Sequence, residues 1–187
     1  MHIRILNYIL ESKIRIWFLS IMTWVTWYTL NFIWPVPELD ILWNGLKIPD
    51  LIPFWYSIEY IWELFNQYDS IGRGQYELFL LTGDIIFPIL YSLFFGMLLW
   101  LIIRNIHLPE QVKWMLISPP FIAACFDYIE NISMIIALNT FPIIYSINIH
   151  NGSIEKIYKN IFSFIGIITL IWFSIYNAIH KIYKLKK

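Results

Sequence analysis

Three acidic residues of this chain fall where a carboxylate is costly. Asp84, Asp127 and Glu130 each lie inside a long apolar run, and Asn131 directly follows Glu130. A carboxylate in hydrocarbon costs several kcal/mol unless it is paired, hydrated or neutralised, so acids within a membrane span are functional candidates by default. The spacing of Asp127, Glu130 and Asn131 puts them on one helical face. Three readings fit such a group. It can be an interhelical hydrogen-bond cluster joining two spans, with Asn131 as glue. It can be the polar end of a largely apolar pocket for a lipid or small hydrophobic ligand, where a desolvated carboxyl suits acid–base work. Or it can hold a proton or cation in transit; oxygen ligands suit Ca²⁺, Mg²⁺ or Na⁺ better than zinc.

Neighbouring residues extend the candidate site. Tyr91 lies two helical turns beyond Asp84, on the same side, and can donate a hydrogen bond. Pro88 frees a backbone carbonyl between them and predicts a kink. Arg73 and Tyr76 precede Asp84 and are expected at the mouth, with Arg73 the nearest cation. Tyr128 and Met134 are candidates for a pocket wall, and Trp62 for a ligand contact from outside. Trp24 and Trp27 lie deep enough in the first span to line a cavity, but packing is the favoured reading. The expected roles are Asp84 and Glu130 as the acid/base or ligand-contacting pair, with Asp127 and Asn131 orienting them. Tyr91, Arg73, Tyr76 and Trp62 complete the binding set.

These residues must be positioned by membrane helices. Of 187 residues, 59% are hydrophobic and 14% charged, whereas soluble domains carry roughly a quarter charged residues. Four spans are predicted, at about 16–33, 77–103, 114–138 and 161–179. Each can cross a hydrocarbon core of about 30 Å at about 1.5 Å per residue. The first reads as a retained anchor, because it has no small-residue cleavage site. The short link between the second and third spans makes them antiparallel neighbours. Their acids then share one stratum, roughly 10–16 Å below the outer boundary.

Basic residues set the predicted orientation. Arg4, Lys13, Arg15, Arg104, Lys113, Lys181, Lys184, Lys186 and Lys187 fall on the side of the termini, and only Lys47, Arg73, Lys156 and Lys159 on the other. Both termini are therefore expected in the cytoplasm. The outer segment 34–76 is too long for a simple connector. Its proline-bearing part (Pro35, Pro37, Pro49, Pro53) should be extended. From 54 to 67 it becomes helical in period, with Trp55, Ile58, Trp62 and Phe65 on one face, as in an interfacial helix that caps or gates the bundle. A turn is expected over 69–74.

Several functions are disfavoured. Net charge is zero with no basic stripe, so no nucleic-acid partner is expected. Cys125 is the sole cysteine, and His2, His107, His150 and His180 are expected in termini or loops, so no metal site or cofactor is predicted. Phosphate-loop, serine-hydrolase and zinc-protease motifs are absent from the sequence.

The second span reads Gly83-Asp84-Ile85-Ile86-Phe87-Pro88-Ile89-Leu90-Tyr91. With four spans, cytoplasmic termini and a long first outer segment, this resembles the EXPERA-domain membrane proteins, which include sterol isomerases and sigma-2 receptor-like proteins. The resemblance covers the general plan and about ten residues. It implies that Asp84 faces the cationic or polar end of a ligand. The first span here lacks the family's acid, and Asp127, Glu130 and Asn131 stand outside the resemblance.

The expected protein is a single all-α domain over 1–187. It is a multi-pass integral membrane four-helix bundle with an outer interfacial helix, in the cell membrane if bacterial. Its expected function is to bind, and by acid–base chemistry to modify, a lipid or small hydrophobic ligand. The alternatives are a small proton- or cation-coupled transporter or channel subunit, or a regulatory subunit with a homo-oligomeric or membrane partner.

Overall fold

The computed structural model describes residues 13–33 and 46–185. His2, Arg4, Lys186 and Lys187 lie outside the described residues, as do Pro35 and Pro37 of the outer segment. Every regular element among the described residues is helical.

Helix α1, Lys13–Tyr28, runs into a π turn, Thr29–Ile33. A 3-10 turn, Pro49–Leu51, precedes α2, Ile58–Gln67. Ser57 starts α2 by accepting the Tyr60 amide at 3.2 Å, a cap worth about 1 kcal/mol. Helix α3, Ser70–Leu81, is capped by Asp69, whose Oδ1 accepts the Gly72 amide at 2.7 Å. The turn expected over 69–74 is thus the cap and first turn of this helix, which begins before the predicted span start at 77.

The helix is interrupted at Thr82, and α4 is Gly83–Ile103. The break lies there and not at Pro88, which sits inside α4. Next to the break, a Cβ on Gly83 would stand 2.3 Å from Leu30 Cδ2, so the π turn packs directly onto this backbone. The third predicted span is also two helices. Helix α5, Glu110–Ile117, gives way at Ser118 to α6, Pro119–Thr140. Pro119 and Pro120 have no amide hydrogen to continue α5 but are well suited to the first turn of α6. Helix α7, Ser146–Leu185, is continuous over 40 residues and starts far before the expected 161.

Among the described residues, three segments are long and apolar enough to cross a membrane: Ser70–Ile103, Glu110–Thr140 and Ser146–His180. Helices α6 and α7 form the most extensive pair, and α4 packs against α1, α6 and α7. Apolar cores lie at both ends. One joins Ile61, Leu64 and Phe65 of α2 to Tyr76, Leu80, Met134 and Ala137. The other joins Met97, Trp100 and Ile103 of α4 to Ile117. Of the face expected for this segment, Phe65 is buried and Ile58 packs against the core, while Trp62, and Trp55 ahead of α2, are 46% and 56% exposed. Ile61, Leu64 and Phe65 contribute roughly 1.5–3 kcal/mol each by burial, enough to set the face.

Candidate functional site

Between the two cores lies a layer of charge. Asp84 comes from the first turn of α4. Asp127, Glu130 and Asn131 come from α6, and Lys156 and Lys159 from α7. Asp127 and Glu130 are three residues apart, as are Lys156 and Lys159, so two adjoining helices present matched acidic and basic steps. Lys156 Nζ lies 3.2 Å from Glu130 Oε1. Lys159 Nζ bridges Glu130 Oε2 and Asp127 Oδ1, both at 2.7 Å. The Lys156 and Glu130 side chains are each only 2% exposed. Charges so deeply desolvated persist only in pairs.

Hydroxyls and amides complete the network. Tyr91 donates to Asp127 Oδ2 at 3.2 Å and Tyr56 to Glu130 Oε1 at 3.4 Å. Ser153 donates to the Tyr56 carbonyl at 2.6 Å. Gly152 gives Tyr56 its room, because a Cβ there would stand 2.7 Å from the hydroxyl oxygen. Burial, with the Glu130 charge next in weight, pushes the Tyr56 hydroxyl pKa far above its ordinary value, so Tyr56 acts as a neutral donor.

Beside the network lies a cavity of about 260 Å³. Its polar lining is Asn31, Asp50, Asp84, Asp127 and Lys159, and its apolar lining includes Trp27, Leu30, Phe79 and Phe87. Asp50 stands in the 3-10 turn and accepts the Tyr76 hydroxyl at 3.1 Å. Burial pushes the Asp50 carboxyl above its usual range, and the nearby Glu130 charge adds to this. Asp84 is 7% exposed, and its Oδ2 is buried with no hydrogen-bond partner among the described residues. Asn131 donates to the Asp84 backbone carbonyl at 3.2 Å and Tyr128 to the Ile85 carbonyl at 2.7 Å. These bonds hold the α4 start against α6 while Asp84 Oδ2 is left without a partner among the described residues. Three carboxylates face one ammonium across the cavity, so the lining is left to be balanced by protons or by a cationic group.

Asp84 and Asp127 share the cavity; Glu130 stands behind it in ion pairs, Tyr91 orients Asp127, and Asn131 positions α4. Tyr76 is fully buried and holds Asp50. Arg73 is not at the mouth. Its guanidinium donates to the Phe65 and Tyr68 carbonyls at 3.0 and 2.5 Å and lies 4.7 Å from the Phe141 ring centroid, tying α3 to the end of α2. Trp62 tilts against Phe141, and Met134 belongs to the core around α2. Neither lines the cavity.

Lys156, Lys159, Asp50 and Tyr56 are site residues absent from the predicted set. Lys156 and Lys159 were expected in an outer loop because hydropathy falls where they occur, yet they lie within α7. Their spacing, equal to that of Asp127 and Glu130, was the available signal. His150 and His180 also lie within α7. Among the described residues, no group of three or more His, Cys, Asp or Glu side chains is arranged to hold a metal ion. No family model, curated protein or solved structure matches this chain.

Proposed function

We propose that this is a four-span membrane protein that binds a lipid or small hydrophobic ligand by its polar end, in the cavity beside Asp84. The single observation carrying this reading is that Asp84, whose Oδ2 is buried without a hydrogen-bond partner among the described residues, lines a cavity that it shares with apolar side chains. A desolvated acceptor left unmade costs about 1–3 kcal/mol, which a ligand donor would recover. Asp84, with Asp127 and the Tyr91 hydroxyl beside it, is also suited to moving a proton on or off the bound ligand.

In this proposal α1 is the fourth span and both termini are cytoplasmic. Lys156 and Lys159 are neutralised inside the bundle, which leaves the outer side poorer still in basic residues. The bilayer position follows from the charge-free stretches. Ile85 to Ile103 in α4 and Asn160 to Ile179 in α7 carry no charged residue, and each covers about 30 Å of helix. The charged layer then lies at the outer edge of the hydrocarbon core, shallower than the 10–16 Å expected from the span limits alone. The α2–α3 core forms a cap beyond it, and the stacked Trp100 and Trp114 rings mark the opposite edge.

The test is mass spectrometry of protein purified in native lipid nanodiscs. Wild type should carry an enriched ligand that Asp84→Asn loses while keeping its helical content. Identical ligand content in both overturns the reading. A proton- or cation-coupled transporter is the second reading, favoured by the excess of carboxylates over ammonium on the cavity wall. It requires flux in proteoliposomes that Asp84→Asn abolishes.

A further inference from the structure

The segment just ahead of α2, residues 53–57, is tied to α7 at two heights. Asn160 donates to the Pro53 carbonyl at 2.5 Å, and Ser153 donates to the Tyr56 carbonyl at 2.6 Å. Those anchors are about 10 Å apart along α7. The Tyr56 hydroxyl adds a third tie, from inside, at Glu130. Phe54 and Trp55, between the anchors, are left bare. They are 70% and 56% exposed and belong to neither apolar core.

Height decides what covers these rings. In the bilayer position given above, Asn160 opens the charge-free stretch of α7 and so marks the outer edge of the hydrocarbon. Phe54 and Trp55 then lie within about 10 Å outside that edge, where the headgroup layer is about 5–8 Å deep. Tryptophan is enriched in that layer, because its ring suits an apolar side and its N–H a wet one. Ile157 and Tyr158 of α7 share this height and are also exposed, so the bare apolar surface is not confined to one loop. In water such a surface would stand uncovered. Beside Trp55 a recess of about 490 Å³ is lined by Lys47, Leu51, Ile52, Pro53 and Tyr60. The Lys47 ammonium has the sign to meet a lipid phosphate.

We propose that Phe54 and Trp55 are a lipid contact, set in the headgroup layer of the outer leaflet, and that phospholipid covers this face of the protein. This rests on the bilayer position given above and is independent of what the Asp84 cavity binds. Helix α2 packs Ile61, Leu64 and Phe65 into the cap, and the residues just ahead of it do the anchoring. Tyr56 belongs to the same segment with its hydroxyl on Glu130. Leaflet contact and buried charge layer are thereby joined through one short stretch of backbone.

The test attaches a nitroxide to single cysteines in the full-length Cys125→Ser chain, reconstituted in phosphatidylcholine liposomes. The four variants are Phe54→Cys, Trp55→Cys, Ile147→Cys and Ile168→Cys, all at exposed positions where a label leaves the packing intact. Power-saturation EPR compares access of oxygen, which concentrates in hydrocarbon, with access of a water-soluble nickel chelate. The label at Ile168 should be open to oxygen and shielded from nickel. The label at Ile147, about 20 Å outside Asn160, should be open to nickel. Labels at Phe54 and Trp55 should fall between the two, losing most of the nickel access seen at Ile147. Nickel access equal to that at Ile147 overturns the lipid contact and leaves the bilayer position standing. Oxygen preference as strong as at Ile168 overturns the headgroup depth. If the Ile168 label is itself open to nickel, the bilayer position falls and this proposal falls with it.

Discussion

Replacing Glu130 by glutamine tests whether the polar layer is held by charge pairing. Glu130 meets Lys156 at 3.2 Å and Lys159 at 2.7 Å. At 3.2 Å and an effective dielectric of about 20, the attraction to one lysine is roughly 5 kcal/mol before desolvation. The two lysines respond differently to its loss. Lys159 keeps Asp127 at 2.7 Å, whereas Lys156 has no other acid within ion-pair distance among the described residues. The cost is therefore chiefly that of stranding one buried ammonium, about 3–5 kcal/mol. Removing the ammonium as well, in Glu130→Gln with Lys156→Met, should recover at least about 2 kcal/mol as a coupling energy. Reversible unfolding in mixed detergent–SDS micelles, followed by circular dichroism, measures both quantities. A cost below about 1 kcal/mol for the single change, or simple additivity in the double one, refutes the account.

Two further outcomes follow from the geometry. Gly152→Ala should destabilise by about 1–3 kcal/mol by forcing the Tyr56 hydroxyl off Glu130. Most of that should disappear in a Tyr56→Phe background, read by the same unfolding assay; an equal cost in both backgrounds rejects the contact. Asp50 bears on pH dependence, because burial raises its folded-state carboxyl pKa, facing Glu130, Asp127, Lys156 and Lys159. The folded chain then holds a proton that the unfolded chain releases above about pH 4, so this contribution falls as pH rises through the raised value, by up to about 1.4 kcal/mol per pH unit. Asp50→Asn should gain stability relative to wild type between pH 4 and 7, and a difference independent of pH excludes the effect.

What was legible in the chain follows from which forces act locally. Asp84, Asp127 and Glu130 stood out because a charge in an apolar run is conspicuous in any fold. Asp127 and Asn131 could be placed on one face because helical spacing is a local rule. Lys156 and Lys159 were hidden by the same logic. They end an apolar window and read as a boundary, although a helix with charged partners alongside continues through them. Arg73 was misplaced because an arginine next to acids in sequence is pulled elsewhere by unsatisfied carbonyls at the end of α2. The close approach of Leu30 to Gly83 was hidden because it joins distant parts of the chain.

The amino-acid order alone determined that long apolar helices dominate this protein and that carboxylates are embedded among them. Hydropathy and helical period act over a few turns and need no partner. Which acid is satisfied and which is left open was decided only by tertiary packing. Helix α7 brings two ammonium groups to Glu130 and Asp127 but none within ion-pair distance of Asp84, and α1 leaves an aromatic groove beside that remaining charge. Pairing depends on distances of about 3 Å between helices, which no spacing along a single chain encodes.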